Sequence, residues 1–151
     1  VFKIASNVNK YSKDSQVKSQ AMYLMALVLK KELVDQSLKT SIARVADVLA
    51  LKIGKLDKAQ KYFLSTIKLA NPDNNVKAMY NLSLCYKDYI ESLRNMPTPR
   101  GLSKNEEDGF RGEIDNIISP MEDKYVETLH QTYITAKKQY SKDIAIFNWT
   151  V

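Results

Sequence analysis

An all-α fold is what this sequence predicts, on three observations. Apolar residues recur every three or four positions through several long segments, the spacing that lines one face of a helix. Gly and Pro number four each in 151 residues, too few for the turns of a sandwich or barrel. No useful length of chain alternates apolar and polar residues as a half-buried strand does.

The elements follow in order. The first helix is expected from a cap at Ser12 or Ser15 to about Lys39, with Ala21, Met25, Leu29, Leu33 and Leu38 on its apolar side. The second starts near Thr40 or Ser41 and keeps one apolar phase through Val45, Leu49, Ile53, Leu56, Ala59, Phe63 and Ile67. Gly54 falls in its middle; the unbroken phase favours one long helix over two, although Gly costs about 1 kcal/mol there. Asn71-Pro72-Asp73-Asn74 is a turn, because Pro presets φ and Asn and Asp bond the nearby backbone. A third helix is expected over about Val76–Asn95, then a loop from Met96 to Leu102. Ser103 and Glu106 form a capping box that opens the fourth helix. Pro120 interrupts that helix by removing an N–H; apolar positions keep their phase from Phe110 to Tyr140, which predicts a kink, not a restart.

Composition bounds the chemistry. A single Cys excludes an internal disulfide and a Cys-based zinc site, and a single His excludes two-His metal motifs. His130 has no nucleophile placed to use it and is expected to serve only in surface or interhelical hydrogen bonding. Cys85 lies within an apolar helix face, where a thiol is buried and inert. The acidic residues Glu106, Glu107 and Asp108 sit at a helix start, where the dipole favours anions without any metal. No cofactor and no enzymatic activity are expected. The longest apolar run, Ala21–Leu29, is far short of the roughly 20 residues that span a bilayer.

Charge is uneven. Residues 1–70 hold 13 basic and 5 acidic side chains, residues 71–151 hold 10 and 12. A basic half can serve nucleic acid or an acidic partner. It contains one Arg, Arg44, and its Lys residues are dispersed, which disfavours a nucleic-acid groove reader.

The chain also repeats itself. Ala21-Met-Tyr-Leu-Met-Ala-Leu-Val-Leu29 aligns with Ala78-Met-Tyr-Asn-Leu-Ser-Leu-Cys-Tyr86 at an offset of 57 residues. Self-similarity at a fixed offset marks stacked helical repeats. Val76–Tyr86 resembles the first helix of a tetratricopeptide repeat, with Met79, Leu82, Ser83 and Tyr86 at the signature positions. Gly54–Phe63, with Ala59 and Phe63 as its small and aromatic contacts and Pro72 after it, resembles the second helix of the preceding repeat. The stretches from Gly54 to Pro72 and from Pro72 to Met79 are each one residue longer than the family pattern. The offset of 57 also exceeds the usual repeat of about 34. A second resemblance covers roughly residues 55–151. Pro97-Thr-Pro-Arg-Gly-Leu-Ser103, Phe110-Arg111, Pro120-Met-Glu-Asp-Lys124 and Phe147-Asn-Trp-Thr150 are similar to motifs of large tetratricopeptide-like envelope proteins in the gliding-motility machinery of gliding and predatory bacteria.

These resemblances imply antiparallel helix pairs stacked as a short right-handed α-solenoid, with long irregular helices. They imply a non-catalytic scaffold for a protein or peptide partner, set in the periplasm or cell envelope, with a cytoplasmic setting as the alternative. The second reading is a basic helical nucleic-acid-binding or regulatory domain. Residues 1–151 are expected as one domain within a larger repeat protein: a basic helix pair over 1–70, then a helix, a Pro-Gly loop and a Pro-kinked helix over 71–151. Adjacent repeats of the same parent chain would then be neighbours. By resemblance, groove positions fall at Gln20, Tyr23, Leu27, Lys30 and Lys31, and at Lys77, Tyr80, Asn81, Leu84 and Lys87. Phe147 and Trp149, in an apolar terminal stretch, are expected to fold back or to mediate self-association through the C-terminal end.

Overall fold

The computed structural model describes residues 1–69 and 71–140. Five α-helices and a short 3-10 turn account for most of them, with no strand among the described residues: α1 (Phe2–Tyr11), α2 (Ser15–Val34), α3 (Val45–Lys68), α4 (Pro72–Arg94) and α5 (Lys104–Gln139), with the turn Ile42–Arg44 leading into α3. The expected all-α class is observed. The expected site residues Phe147 and Trp149 lie outside the described residues.

Local chemistry explains most helix ends. Asp14, not Ser12 or Ser15, caps α2: its Oδ1 accepts from the Gln16 and Val17 amides at 2.7 and 3.2 Å. A carboxylate beside the positive end of a helix outcompetes a hydroxyl there. Asn71 caps α4 by accepting from the Asn74 amide at 3.1 Å, with Pro72 in the first turn, so α4 begins four residues before the apolar pattern does. The capping box on α5 is formed. Ser103 Oγ accepts from the Glu106 amide, and a Glu106 carboxylate oxygen accepts from the Ser103 amide at 2.7 Å.

Two interior residues behave as their chemistry allows. α3 runs unbroken through Gly54. α5 runs unbroken through Pro120; Pro120 and the Asn116 one turn before it are exposed, so the carbonyl that Pro leaves without a partner meets water. α2 ends at Val34, short of the expected Lys39, yet Leu38 stays buried from within the connection. α1 precedes the first helix expected from the sequence. Phe2 and Ala5 hold it, Phe2 against Tyr62 with ring centroids 5.8 Å apart.

Helix directions follow from named pairs. Leu33 meets Lys52 and Tyr23 meets Phe63, so α2 and α3 are antiparallel. Arg94 meets Glu122 and Tyr140 meets Asp73, so α4 and α5 are antiparallel. Ser19 meets Asn74 and Tyr23 meets Asn81, so α2 and α4 lie side by side in the same direction. α4 packs on α2, α3 and α5 and carries the core, with Ala78, Leu82, Cys85, Tyr86, Tyr89 and Leu93 all buried. Arg111 binds the loop before α5 by donating to the Met96 carbonyl at 2.8 Å and to Thr98 Oγ1 at 2.6 Å. Gly101 turns that loop with φ of 92°, a conformation L side chains rarely adopt.

Phe63 is wholly buried in the main core. Phe63→Ala is expected to cost about 3–5 kcal/mol in urea melts, the sum of lost transfer energy and a residual cavity; a loss below about 1 kcal/mol would mean that the core closes over the gap. Gly54 has the opposite expectation. A Cβ built there meets nothing within 4 Å, and its φ is not positive. Gly54→Ala should therefore stabilise by about 0.5–1 kcal/mol, because Ala restricts the unfolded chain and favours helix. A destabilised variant in the same melts would refute it.

Candidate functional site

The internal repeat has a structural counterpart. Ala21 and Ala78 are both buried, as are Met25 and Leu82, Ala26 and Ser83, and Leu29 and Tyr86. Met22 and Met79, Tyr23 and Tyr80, and Leu27 and Leu84 are all half-buried. Seven of the nine aligned positions of α2 and α4 thus share a burial state, the exceptions being Leu24 against Asn81 and Val28 against Cys85, and the two helices lie side by side.

Across these two helices the expected residues divide into two groups. Tyr23, Lys30 and Asn81 are joined: Lys30 Nζ donates to Asn81 Oδ1 at 3.0 Å, and Asn81 Nδ2 donates to the Tyr23 hydroxyl oxygen at 3.1 Å. Asn81 Nδ2 also donates to the Lys77 carbonyl at 2.9 Å. Tyr23 leans on Phe63 with centroids 6.3 Å apart, and burial raises its hydroxyl above the ordinary tyrosine range. Gln20 and Lys77 face each other across a polar groove of about 340 Å³, whose other walls are Gln16, Val17, Asn71, Asp73 and Asn74. Tyr80 and Leu84 are half-buried on α4, and Leu27 packs against the core from α2. The remaining two are drawn aside by local charges. Lys31 pairs with Asp35 at 2.8 Å, and Lys87 lies 3.8 Å from Glu91, both one turn along their own helices.

Three groups that sequence reasoning missed complete the picture. Asp88 is half-buried near Lys30, Lys52 and Lys87. Burial raises its carboxyl, Lys30 lowers it, and Glu91 raises it further. Asn74 donates to Ser19 Oγ at 3.1 Å, a buried bond that pins the α4 start to the α2 start. Lys52 is 1% exposed, and its ammonium donates to the Leu33 and Gln36 carbonyls at 2.8 and 2.9 Å. The signal for Lys52 was present: it occupies an apolar phase position between Leu49 and Leu56. Asp88 gave no comparable signal, because Lys30 and Lys52 reach it from two other helices.

Reactive groups are few on this surface. Cys85 is fully buried. Burial pushes its thiol up to about 12, with nearby Lys30 opposing and Asp88 adding to the shift. His130 is exposed on α5 beside Val126, Leu129, Thr132 and Tyr133. Among the described residues no three His, Cys, Asp or Glu side chains converge as a metal site requires, and no helix is long and apolar enough to cross a membrane. The arrangement is equipped to bind through amides, a lysine and tyrosine edges. Set against known proteins, the chain matches no family model, no curated protein and no solved structure.

The Cys85 environment carries a pH dependence. The thiol is raised from 9.0 to about 12, and the Tyr86 hydroxyl from 10.0 to about 12, chiefly by burial. Both groups ionise more readily once unfolded, so their contribution is complete below about pH 9 and is lost as pH climbs towards 12. Urea stability measured at successive pH values should fall through that window, and Cys85→Ala should flatten its lower part. At pH 8, a disulfide reagent should modify Cys85 only as fast as the protein opens; modification at the rate of a free thiol would refute the assignment.

Proposed function

We propose that this chain is a non-catalytic protein–protein interaction module of tetratricopeptide-like build, whose α2/α4 face takes a peptide ending in, or rich in, carboxylates. The observation that carries the reading is the pairing of α2 and α4, two sequence-similar helices lying parallel, each followed by an antiparallel partner. Stacked helix pairs of this kind form a short solenoid, right-handed on the family resemblance, with their first helices lining one surface. The polar groove between Gln20 and Lys77 offers side-chain amides to a peptide backbone, and Lys30 and Lys77 offer cations to a carboxylate. An envelope setting, as part of gliding-motility or related machinery, rests on the resemblance of the second half alone.

The distribution of lysines favours this reading over a nucleic-acid surface. Three lysines of the basic half are engaged within the protein: Lys31 with Asp35, Lys52 with Leu33 and Gln36, and Lys55 with the Glu32 carbonyl at 3.3 Å. Cations committed to internal partners are not free to neutralise a run of phosphates.

Fluorescence anisotropy tests the proposal with an array of labelled peptides, each carrying either a free C-terminal carboxylate or a carboxamide. Carboxylate forms should bind preferentially, and Lys77→Met and Lys30→Met should each weaken them about tenfold, the value of one charge-assisted hydrogen bond. Equal binding of acid and amide forms would exclude the carboxylate site. Tighter binding of a single-stranded oligonucleotide, with a steep fall as salt rises, would replace this reading with the nucleic-acid one.

A further inference from the structure

α1 and α2 enclose an apolar trough of about 390 Å³. Five exposed apolar side chains meet in it: Val1, Ile4 and Val8 on the α1 side, and Val17 and Leu24 on α2, with Ile4 70% exposed. None of the side chains that line it is charged. An exposed apolar patch that is contiguous marks an interaction surface.

Such a trough calls for an uncharged, apolar occupant, and the position of Tyr140 indicates where one is attached. The Tyr140 hydroxyl donates to Asp73 Oδ1 at 3.0 Å. Asp73 is a wall of the polar groove between α2 and α4, and that groove shares Val17 and Gln20 with the trough. Eleven residues follow Tyr140. Fully extended they reach about 36 Å, several times the roughly 8–10 Å between the axes of packed helices. Their order of polarity is also that of the surface leading away from Asp73. Ser141-Lys142-Asp143 is polar, like the groove. Ile144-Ala-Ile-Phe-Asn-Trp-Thr-Val151 has no charged side chain and five large apolar ones, like the trough.

From this tethering and this match of polarity we infer that residues 144–151 of the same chain occupy the α1/α2 trough, with Phe147 and Trp149 as the apolar anchors. A tethered segment meets its site at an effective concentration on the order of millimolar, an advantage that no separate partner of equal affinity shares. Docking covers Ile4, Val8 and Leu24 and links the end of the chain to its beginning.

Trp149 is the only Trp of the chain, so its fluorescence reads this site alone. The test is Trp149 emission and acrylamide quenching in the full chain, over concentrations at which sedimentation shows a monomer. The wild type should emit as a shielded indole at every concentration, with quenching several-fold slower than in the urea-unfolded chain. Ile4→Glu on α1 and Leu24→Glu on α2 should each move the emission to that of water-exposed indole while helicity is kept, because a carboxylate facing an apolar segment must be desolvated. Placing the two variants on different helices keeps the test decisive should Ile4→Glu loosen α1. Val126→Glu, at an exposed apolar position on α5 outside the trough, should leave the emission unchanged. Water-exposed emission from the wild type would overturn the inference. Shielding that survives both trough variants would overturn it too, by placing the segment elsewhere. So would shielding that appears only as concentration rises, which marks docking on a second copy. No peptide is added in any arm, so the inference stands or falls apart from the peptide-binding reading.

Discussion

The contact of α4 with three other helices at once is the constraint on which the rest depends. A helix enclosed by α2, α3 and α5 must let their backbones approach, and the positions that permit it are small. Ala78, Ser83 and Cys85 on α4, Ala59 on α3 and Ala26 on α2 are all buried. Their hydroxyl groups do not go unpaired: Ser83 Oγ donates to the Tyr80 carbonyl at 2.7 Å within its own helix, as Thr66 does to Tyr62 at 2.9 Å. Larger rings then fill what remains, with Phe63 from α3 and Tyr86 and Tyr89 from α4 in one continuous cluster. The same enclosure leaves Cys85 protonated and chemically quiet, so the only thiol of the chain serves as a core residue of modest size.

Lys52 shows how a cation can be useful inside such a core. Its ammonium reaches the Leu33 carbonyl in the last turn of α2 and the Gln36 carbonyl just beyond it, where the helix dipole favours positive charge. Burial lowers its basicity, Asp88 pulls it back, and Lys55 lowers it again. Lys55 donates to the Glu32 carbonyl nearby, so two lysines of α3 bind the end of α2. That pair explains why α2 stops at Val34 although apolar residues continue to Leu38. The chain turns under the lysines, and Leu38 reaches the core from the connection.

Most of the fold was legible because its signals are local. The capping box at Ser103 and the continuity of α3 through Gly54 each depend on residues within one or two turns of each other, whereas Pro72, Asp73 and Asn74, expected in a turn, open α4 behind the Asn71 cap. What was not legible depends on partners distant in sequence or on competition between neighbours. α1 has no side-chain cap and exposes most of its apolar residues, so its pattern resembles a surface segment until Phe2 finds Tyr62. At the start of α2, Ser12, Asp14 and Ser15 all offer capping oxygens, and only the geometry selects Asp14. Within the candidate site, Tyr23, Lys30 and Asn81 were named from the family resemblance, and the fold joins them by hydrogen bonds. Lys31 and Lys87 were named in the same way, but acidic residues one turn away had a prior claim on them.

The bonds between Ser19 and Asn74, Tyr23 and Asn81, and Lys30 and Asn81 join residues 51 to 58 positions apart, whereas the α2/α3 and α4/α5 pairings are between neighbours in sequence. Closing a long loop is entropically slower than zipping adjacent helices, so the α2/α4 bonds are expected to form after the α2/α3, α3/α4 and α4/α5 pairings. Interactions made after the folding transition state govern how fast a protein opens, with little influence on how fast it forms. The face that carries the candidate site is therefore expected to be the first seam to open. A ligand bridging α2 and α4 holds that seam shut and lengthens the lifetime of the native state.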